Sequence, residues 1–299
     1  MTPREWALLT FLSIIWGGAF FFVAVAVHVV PPLTVVFLRV GIAALALLLY
    51  LQIKGEKLQF ERSLLLAFLV MGMLNNIIPF SLLFWAQTNI SSGLASILNA
   101  TTPMFSIIVA HFALADEKMA ANKIIGVFLG LFGVMALVGG SVIEGENIAI
   151  FGMIACLGAA LSYACAATFG RRFRTMDVSN SYVAFGQLTA STLVMIPVML
   201  IVDRPWELAM PGTGVVLAIV ALALISTALA YVIYFQLLAS VGAVNVALVT
   251  LLVPVSAILL GTIFLNEILE TRHYVGLALI LTGLIAVDGR LLRKSTTGG

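Results

Sequence analysis

Long apolar runs of about 20 residues recur along the chain, separated by short polar connections. Runs of this length are typical of helices that cross a membrane, whose hydrocarbon core is about 30 Å thick. The pattern predicts ten such helices, at residues 5–27, 33–51, 63–85, 90–114, 121–140, 149–170, 179–201, 212–238, 243–265 and 273–290. The connections leave no length for a soluble domain, so the fold class is an all-α polytopic membrane protein.

The composition supports this assignment. Hydrophobic residues make up 62% of the 299 residues and charged residues only 9%, whereas roughly 25% of residues are charged in soluble domains. A net charge of +2 gives no basic patch for a nucleic acid. The chain also lacks the G-x-x-x-x-G-K-[ST] motif, which argues against an ATP-driven pump. We expect no cofactor and no metal site.

The positions of Lys and Arg predict the orientation in the membrane. Most of these residues fall on the side of the N-terminus, including Arg4, Lys54, Lys118, Arg171 and Arg290. Positively charged loops remain in the cytoplasm. The pattern therefore predicts a multi-pass protein of the cell (inner) membrane with both termini in the cytoplasm, in contact with the lipid bilayer.

Two segments of the chain resemble each other. Residues 102–134 match residues 253–284, and the match pairs Pro103 with Pro254, Glu117 with Glu267, Gly126 with Gly276 and Gly133 with Gly283. Each half thus contains five predicted helices, at 1–140 and 141–299. Because five is odd, the second half enters the membrane from the opposite side, which predicts the inverted repeat that recurs in secondary transporters.

These residues resemble a known family. The W-G pair at Trp16 and Gly17, the intramembrane Arg39 and the doubled P…E…G…G pattern are similar to the drug/metabolite transporter superfamily, and within it to the ten-helix EamA-type exporters. The resemblance covers about residues 5–290. It implies two inverted bundles around a central cavity, with helices 5 and 10 peripheral and used for packing or dimer contacts. Tyr163 and Gln187 stand near the places of Trp16 and Arg39, so the halves have diverged.

Polar residues interrupt the fourth predicted helix. Ser92, Ser96, Asn99, Pro103 and Ser106 are three or four residues apart and would share one face of a helix. Proline lacks an N–H, so Pro103 deprives the carbonyl of Asn99 of its partner. The same applies to Asn75 before Pro79 and to Thr250 before Pro254. Such carbonyls are tolerated at membrane depth only within protein or beside a watery cavity.

These features, together with the polar positions of helices 6 and 8 and the internal Trp16, predict the substrate site. We expect it to include Trp16, Asn75, Asn76, Pro79, Asn99, Tyr163, Thr227, Tyr231 and Thr250, with Pro103 and Pro254 as helix breaks. The alternative for each is close packing between helices, which we favour for Ser92 and Ser96. Arg39 lies about two turns into the second helix, where it could bind a substrate carboxylate or helix-end carbonyls.

The predicted function is secondary transport. The resemblance implies export of amino acids or similar small metabolites by alternating access with broad specificity, by a monomer or a homodimer. The alternatives are a multidrug or other metabolite exporter and a nucleotide-sugar-type carrier. A phosphate ligand would require several Lys or Arg at depth, and only Arg39 is there. Three scattered His and no H-E-x-x-H motif argue against an enzyme.

Overall fold

The computed structural model describes residues 1–59, 61–114, 121–144, 147–246 and 248–288. These residues form ten helices: α1 (Pro3–Val27), α2 (Pro32–Ile53), α3 (Arg62–Ala86), α4 (Ser92–Ala113), α5 (Ala121–Glu144), α6 (Asn147–Gly170), α7 (Asn180–Val202), α8 (Thr213–Gly242), α9 (Val249–Leu265) and α10 (Thr271–Asp288). The predicted all-α fold of ten helices is confirmed. Eight are long and apolar enough to cross a membrane, and α9 and α10 are shorter apolar helices.

The largest difference from the predicted bounds is at the start of α9. The apolar pattern predicted a helix from residue 243, whereas α9 begins at Val249. The helix is broken at Gly242, which has φ 75° and ψ 165°, and a short helical turn to Val246 precedes α9. A positive φ is accessible to glycine without steric strain, and hydropathy alone does not reveal such a break.

Residues at the helix starts satisfy the free backbone N–H groups. Thr2 and Glu5 form a capping box at the start of α1, which also carries Pro3 in its first turn. The side chains of Ser91 and Ser179 accept hydrogen bonds from backbone N–H groups in the first turns of α4 and α7. These helix starts are therefore encoded locally.

The two halves pack against each other through symmetric helix pairs. Helix α1 packs on α9, and its counterpart α6 packs on α4; α2 packs on α7, and α5 packs on α10. Every one of these contacts joins the first five helices to the last five. The ten helices thus form two inverted five-helix repeats that surround a central polar region. We call the membrane face at which α1 begins the N-terminal face, and the one at which α1 ends the opposite face.

Glycines allow α5 and α10 to approach closely. A Cβ at Gly126 would collide with the carbonyl of Gly283, and one at Gly133 would lie 2.8 Å from the carbonyl of Gly276. These four glycines are the ones that the sequence match pairs between the halves, and the structure packs them against each other. Asn122 adds hydrogen bonds to two backbone carbonyls of α10 at 3.2 and 3.3 Å. The predicted packing role of helices 5 and 10 follows from these contacts.

Candidate functional site

Two π-helical turns mark equivalent places in the two halves. Met73–Ile77 forms one within α3, and Leu224–Leu229 forms the other within α8. Their starts have the same separation along the chain as Pro103 and Pro254. A π-turn widens the helix locally and is frequent at functional sites. A side-chain hydroxyl hydrogen-bonds to the backbone of the first turn: Ser162 of α6 donates to the carbonyl of Leu74 at 2.7 Å.

Arg39 of α2 reaches the π-turn of α8. Its Nε donates to the Oγ1 atom of Thr227 at 2.9 Å, and Thr227 in turn donates to the carbonyl of Leu222 at 2.9 Å. The guanidinium lies over the ring of Phe80, with its Cζ atom 3.8 Å from the ring centroid. Phe84 lies 5.7 Å away on the same helix. Cation–π contacts of this kind partly compensate a cation for lost water.

The guanidinium of Arg39 keeps hydrogen-bonding capacity. The residue is only 8% exposed, and within the described residues its single hydrogen bond is the one from Nε. No carboxylate of the described part of the chain forms an ion pair with it. A guanidinium offers five N–H donors in a fixed plane that matches a carboxylate. A buried cation without an anionic partner is costly unless a ligand supplies one.

An uncharged polar cluster surrounds the π-turn of α3. Asn75 donates through Nδ2 to Gln187 Oε1 at 3.0 Å and to the hydroxyl of Tyr231 at 3.2 Å. Asn76 donates to the hydroxyl of Ser191 at 3.0 Å. The Tyr231 hydroxyl also donates to Asn76 Oδ1 at 3.5 Å. Amides and a phenol provide both donors and acceptors here, so the cluster suits a neutral or zwitterionic group.

The two clusters occupy equivalent places in the two repeats but contain different residues. In the first half, α2 contributes Arg39 to the π-turn of α8; in the second, α7 contributes Gln187 to the π-turn of α3. Phe80, whose ring lies under Arg39, follows the π-turn of α3 by three residues and lies 6.5 Å from Tyr163 between ring centroids. The inverted symmetry thus places a cationic group and an amide-rich group around one region, and the divergence seen at Gln187 gives them different chemistry.

Aromatic side chains flank both clusters. Trp16 lies 5.6 Å from Tyr234 between ring centroids, and Tyr163 lies 6.5 Å from Phe80. Tyr231 stacks on Phe235 at 5.9 Å. Trp16, Tyr163 and Tyr231 are all half-buried. Pro79 is buried directly after the π-turn of α3. The predicted site residues on α1, α2, α3, α6 and α8 therefore lie in or next to this region.

Asn99 and Thr250 are placed differently from the others. Asn99 ends the first segment of α4, and Thr250 lies in the first turn of α9. Both are half-buried and lie near breaks that precede Pro103 and Pro254. Asn99 joins neither polar cluster by a hydrogen bond among the described residues, and its Oδ1 atom is buried without a partner there.

The polar stripe of the fourth helix requires a correction. Helix α4 consists of two segments, Ser92–Asn99 and Thr102–Ala113, so its five polar positions do not form one continuous helical face. The carbonyl of Asn99 is also not free, because the hydroxyl of Thr102 donates to it at 2.7 Å. Ser96 donates to the carbonyl of Gly93, as expected for a packing residue. Sequence spacing assumes an unbroken helix, and side-chain hydroxyls can replace the missing N–H.

Sequence reasoning missed Ser191, Phe80 and Phe84, and treated Gln187 only as a sign of divergence. Gln187 and Ser191 are one turn apart in α7, and both are buried. Such a pair predicts a polar partner on a neighbouring helix. The aromatic residues under Arg39 gave no signal, because an apolar helix contains many such side chains.

The Asn99 side chain offers a test. We expect Asn99→Leu, which keeps the volume but removes the amide, to reduce transport about tenfold, since an unsatisfied partner costs roughly 1–3 kcal/mol. Thr250→Val should act similarly, whereas Ser96→Ala should change little. Initial transport rates and melting temperatures of the purified variants check this. Normal transport by Asn99→Leu would make α4 a packing element only.

Comparison with known proteins supplies the family. The sequence profile of the EamA-like transporter family matches residues 4–139 and again residues 150–287. The chain belongs to the EamA-like transporter family. The double match also agrees with the internal repeat. Because the family consists of transporters, the prediction that the protein is a transporter and not an enzyme is confirmed.

Curated relatives agree with the family. The chain is 30% identical to the transporter YoaV of Bacillus subtilis over 91% of this chain and 92% of that protein. It is 27% identical to an Escherichia coli protein named "Probable amino-acid metabolite efflux pump", over all of both chains. It is 29% identical to the inner membrane transporter YedA of Escherichia coli, over 92% of this chain and 88% of that protein.

A solved crystal structure has the same fold. It covers 97% of this chain and 99% of its own, with a TM-score of 0.68 and 19% sequence identity. At this identity the likeness concerns the fold alone. The EamA-like chain therefore has the architecture of an experimentally known protein, and its substrate must be argued from its own residues.

Proposed function

We propose that the protein exports amino acids, or similar small metabolites that carry a carboxylate, by alternating access. The observation that carries this proposal is the buried guanidinium of Arg39, which has unused N–H donors and no carboxylate partner in the described chain. A substrate carboxylate supplies the missing anion through a charge-assisted, bidentate contact. Export agrees with the name of the similar Escherichia coli protein, "Probable amino-acid metabolite efflux pump".

The amide cluster suits the other end of such a substrate. Amide and phenol oxygens of Asn75, Gln187 and Tyr231 accept hydrogen bonds from an ammonium group, and their N–H and O–H groups serve neutral polar side chains. Aromatic neighbours such as Trp16 and Tyr163 provide apolar contact that does not require a particular polar group in the substrate. This combination favours broad specificity among small zwitterions.

The site is a poor match for a nucleotide sugar. A diphosphate carries more charge than one guanidinium neutralises, and phosphate sites commonly combine several Arg and Lys side chains. In the described part of the chain, Arg39 is the one cation that contacts the two clusters. The amino-acid assignment therefore fits the charge of the site better.

The orientation and the division of the chain are part of the proposal. Both termini lie in the cytoplasm, and the two repeats divide at residues 140 and 141. The excess of Lys and Arg on the N-terminal face supports this orientation. Reporter fusions after Arg172 and after Asp203 should report opposite sides, cytoplasmic for the first. The same side for both would contradict the topology.

Transport should follow the gradient of the substrate itself. Asp203 and Glu267 lie at helix ends, and within the described residues no carboxylate contacts the central clusters to relay protons. The experiment is a substrate panel with the purified protein in liposomes, with and without a pH gradient. The panel pairs each amino acid with the amine that lacks its carboxylate.

The expected result is uptake of the amino acids, little uptake of the paired amines, and no accumulation driven by the pH gradient alone. Equal transport of both members of each pair would refute a role for a substrate carboxylate. Uphill accumulation of a neutral amino acid driven by a pH gradient would refute the coupling but leave the substrate class intact.

A further inference from the structure

The carboxylate of Glu267 binds the start of helix α4. Glu267 follows α9 in the second repeat, whereas α4 belongs to the first. The backbone N–H of Ser92 donates to Oε1 at 2.7 Å, its hydroxyl donates to Oε2 at 3.0 Å, and the N–H of Gly93 donates to Oε2 at 3.1 Å. These three hydrogen bonds, which we call the outer latch, join the repeats at the face opposite to the N-terminus.

The backbone around the outer latch is shaped for this contact. Asn266 has a left-handed conformation, with φ 54° and ψ 32°, which ends α9 and turns the chain back. The N–H of Glu267 then donates to the carbonyl of Gly261 at 3.1 Å. A Cβ at Gly261 would collide with Glu267 Oε2 and lie 2.9 Å from the Ser92 hydroxyl. Glycine at this position thus leaves the space that the carboxylate occupies.

The outer latch holds a helical segment that is separate from the rest of α4. Ser92–Asn99 is about 12 Å long at 1.5 Å per residue. It ends in a turn where Thr101 and Thr102 donate their hydroxyls to the carbonyls of Leu98 and Asn99 at 2.6 and 2.7 Å. The segment can therefore change its angle at this turn while those two carbonyls keep a hydrogen-bond donor. Glu267 binds one end of the segment, and Asn99 lies at the other.

Water can reach the outer latch. Glu267 borders a cavity of about 430 Å³ at the opposite face, which is also lined by His28, Gln87 and Asn89. If the hydrogen bonds break, water in this cavity can solvate both the carboxylate and the exposed N–H groups. The contact is thus reversible in a way that tight apolar packing is not.

A second helix pair is fixed at both faces and provides the contrast. At the opposite face, Asp203 after α7 accepts from the N–H and the hydroxyl of Thr34 in α2, at 2.6 and 2.8 Å. At the N-terminal face, Ser179 before α7 donates to Glu56 after α2, and Tyr182 bonds the backbone of Gln59. Helices α2 and α7 are therefore expected to stay together while other contacts between the repeats change.

We propose that the outer latch closes the transporter at the face opposite to the N-terminus and breaks once in each transport cycle. Its release lets the segment Ser92–Asn99 swing at the turn around Thr101 and opens a path from the polar clusters to that face. The inference rests on the alternating access of the proposed function and does not depend on which substrate is carried.

Labelling of a single cysteine tests this inference without substrate. Ser96 is 1% exposed on the segment held by the outer latch, so Ser96→Cys in a background with Cys156→Ala and Cys165→Ala reports its opening. The rate of reaction with a soluble maleimide is measured on purified protein in detergent. Glu267→Gln removes the charge and should raise this rate about tenfold, because hydrogen bonds to a charged group are the stronger ones.

Three further variants keep the test decisive. Gly261→Ala retains the carboxylate but displaces it, and it should raise the labelling rate in the same direction as Glu267→Gln. Two controls should label at the parental rate: Gly214→Ala, whose added Cβ meets no atom within 4 Å, and Asp203→Asn, which weakens the contact of α2 with α7.

Parental rates in both Glu267→Gln and Gly261→Ala would overturn the proposal and make Glu267 a static helix cap. So would an equal increase in Asp203→Asn, which would indicate general loosening. A failed substrate panel, by contrast, would leave these labelling rates unaffected, so the two proposals can fail separately.

Discussion

Replacing Arg39 with Gln should reduce transport of carboxylate-bearing substrates about a hundredfold. The change removes the cation that we propose binds the carboxylate, and each tenfold loss corresponds to about 1.4 kcal/mol, within the range of a lost charge-assisted contact. Arg39→Lys should retain part of the activity, because Lys keeps the charge but cannot form a planar bidentate contact. Initial rates in liposomes over a range of substrate concentrations measure the effect.

Stability separates this effect from misfolding. Arg39 is a buried cation without a carboxylate partner in the described chain, so its neutral replacement should leave the melting temperature unchanged or raise it. Thr227→Val is the comparison variant. It removes the hydroxyl that accepts from Nε and donates to the carbonyl of Leu222 but keeps the guanidinium, so it should cost less activity than Arg39→Gln. Wild-type transport by Arg39→Gln would leave Arg39 a structural residue held by Thr227 and Phe80.

Replacing Gly126 with Val should lower the stability of the protein by about 3 kcal/mol, the upper part of the usual range for overpacking. The new side chain has no space, because even its Cβ would collide with the carbonyl of Gly283 and lie 3.0 Å from the backbone N of Val287. Helices α5 and α10 must then separate along their closest contact. Thermal unfolding of the detergent-solubilised protein measures this loss.

Gly139→Val on the same helix is the control. A Cβ at Gly139 meets no atom within 4 Å, so this substitution should change the melting temperature little. An equal loss in both variants would show that the cost lies in the helix itself. An unaffected Gly126→Val protein would show that α5 and α10 separate easily.

Several features followed from the sequence because each depends on local pattern. Bilayer thickness fixes the length of an apolar run, so ten helices were predicted with nearly correct bounds. Matched Pro and Glu positions and the odd number of helices per half predicted the inverted repeat. The sequence also paired Gly126 with Gly276 and Gly133 with Gly283. Glu117 lies outside the described residues, so its pairing with Glu267 stays a prediction.

The composition of the site was predicted only in part. Proline and amide residues pointed to Asn75 and Asn76, and a helical face shared with Tyr231 pointed to Thr227. The structure places these residues in two polar clusters, and their role in binding stays a prediction. The π-turns gave no signal, because one extra residue in a turn does not disturb a uniformly apolar run. The same spacing argument wrongly joined Ser92 to Ser106 on one face of α4.

The sequence by itself determined the membrane class, the number of helices, the repeat and the family resemblance, since these depend on residues that are near each other or at a constant separation. Only the tertiary structure decided which distant residues meet: Arg39 with Thr227, Asn75 with Gln187, and Glu267 with Ser92. These pairs join helices more than 100 residues apart. Their register depends on how the two repeats pack, and the hydropathy pattern along the chain does not encode that packing.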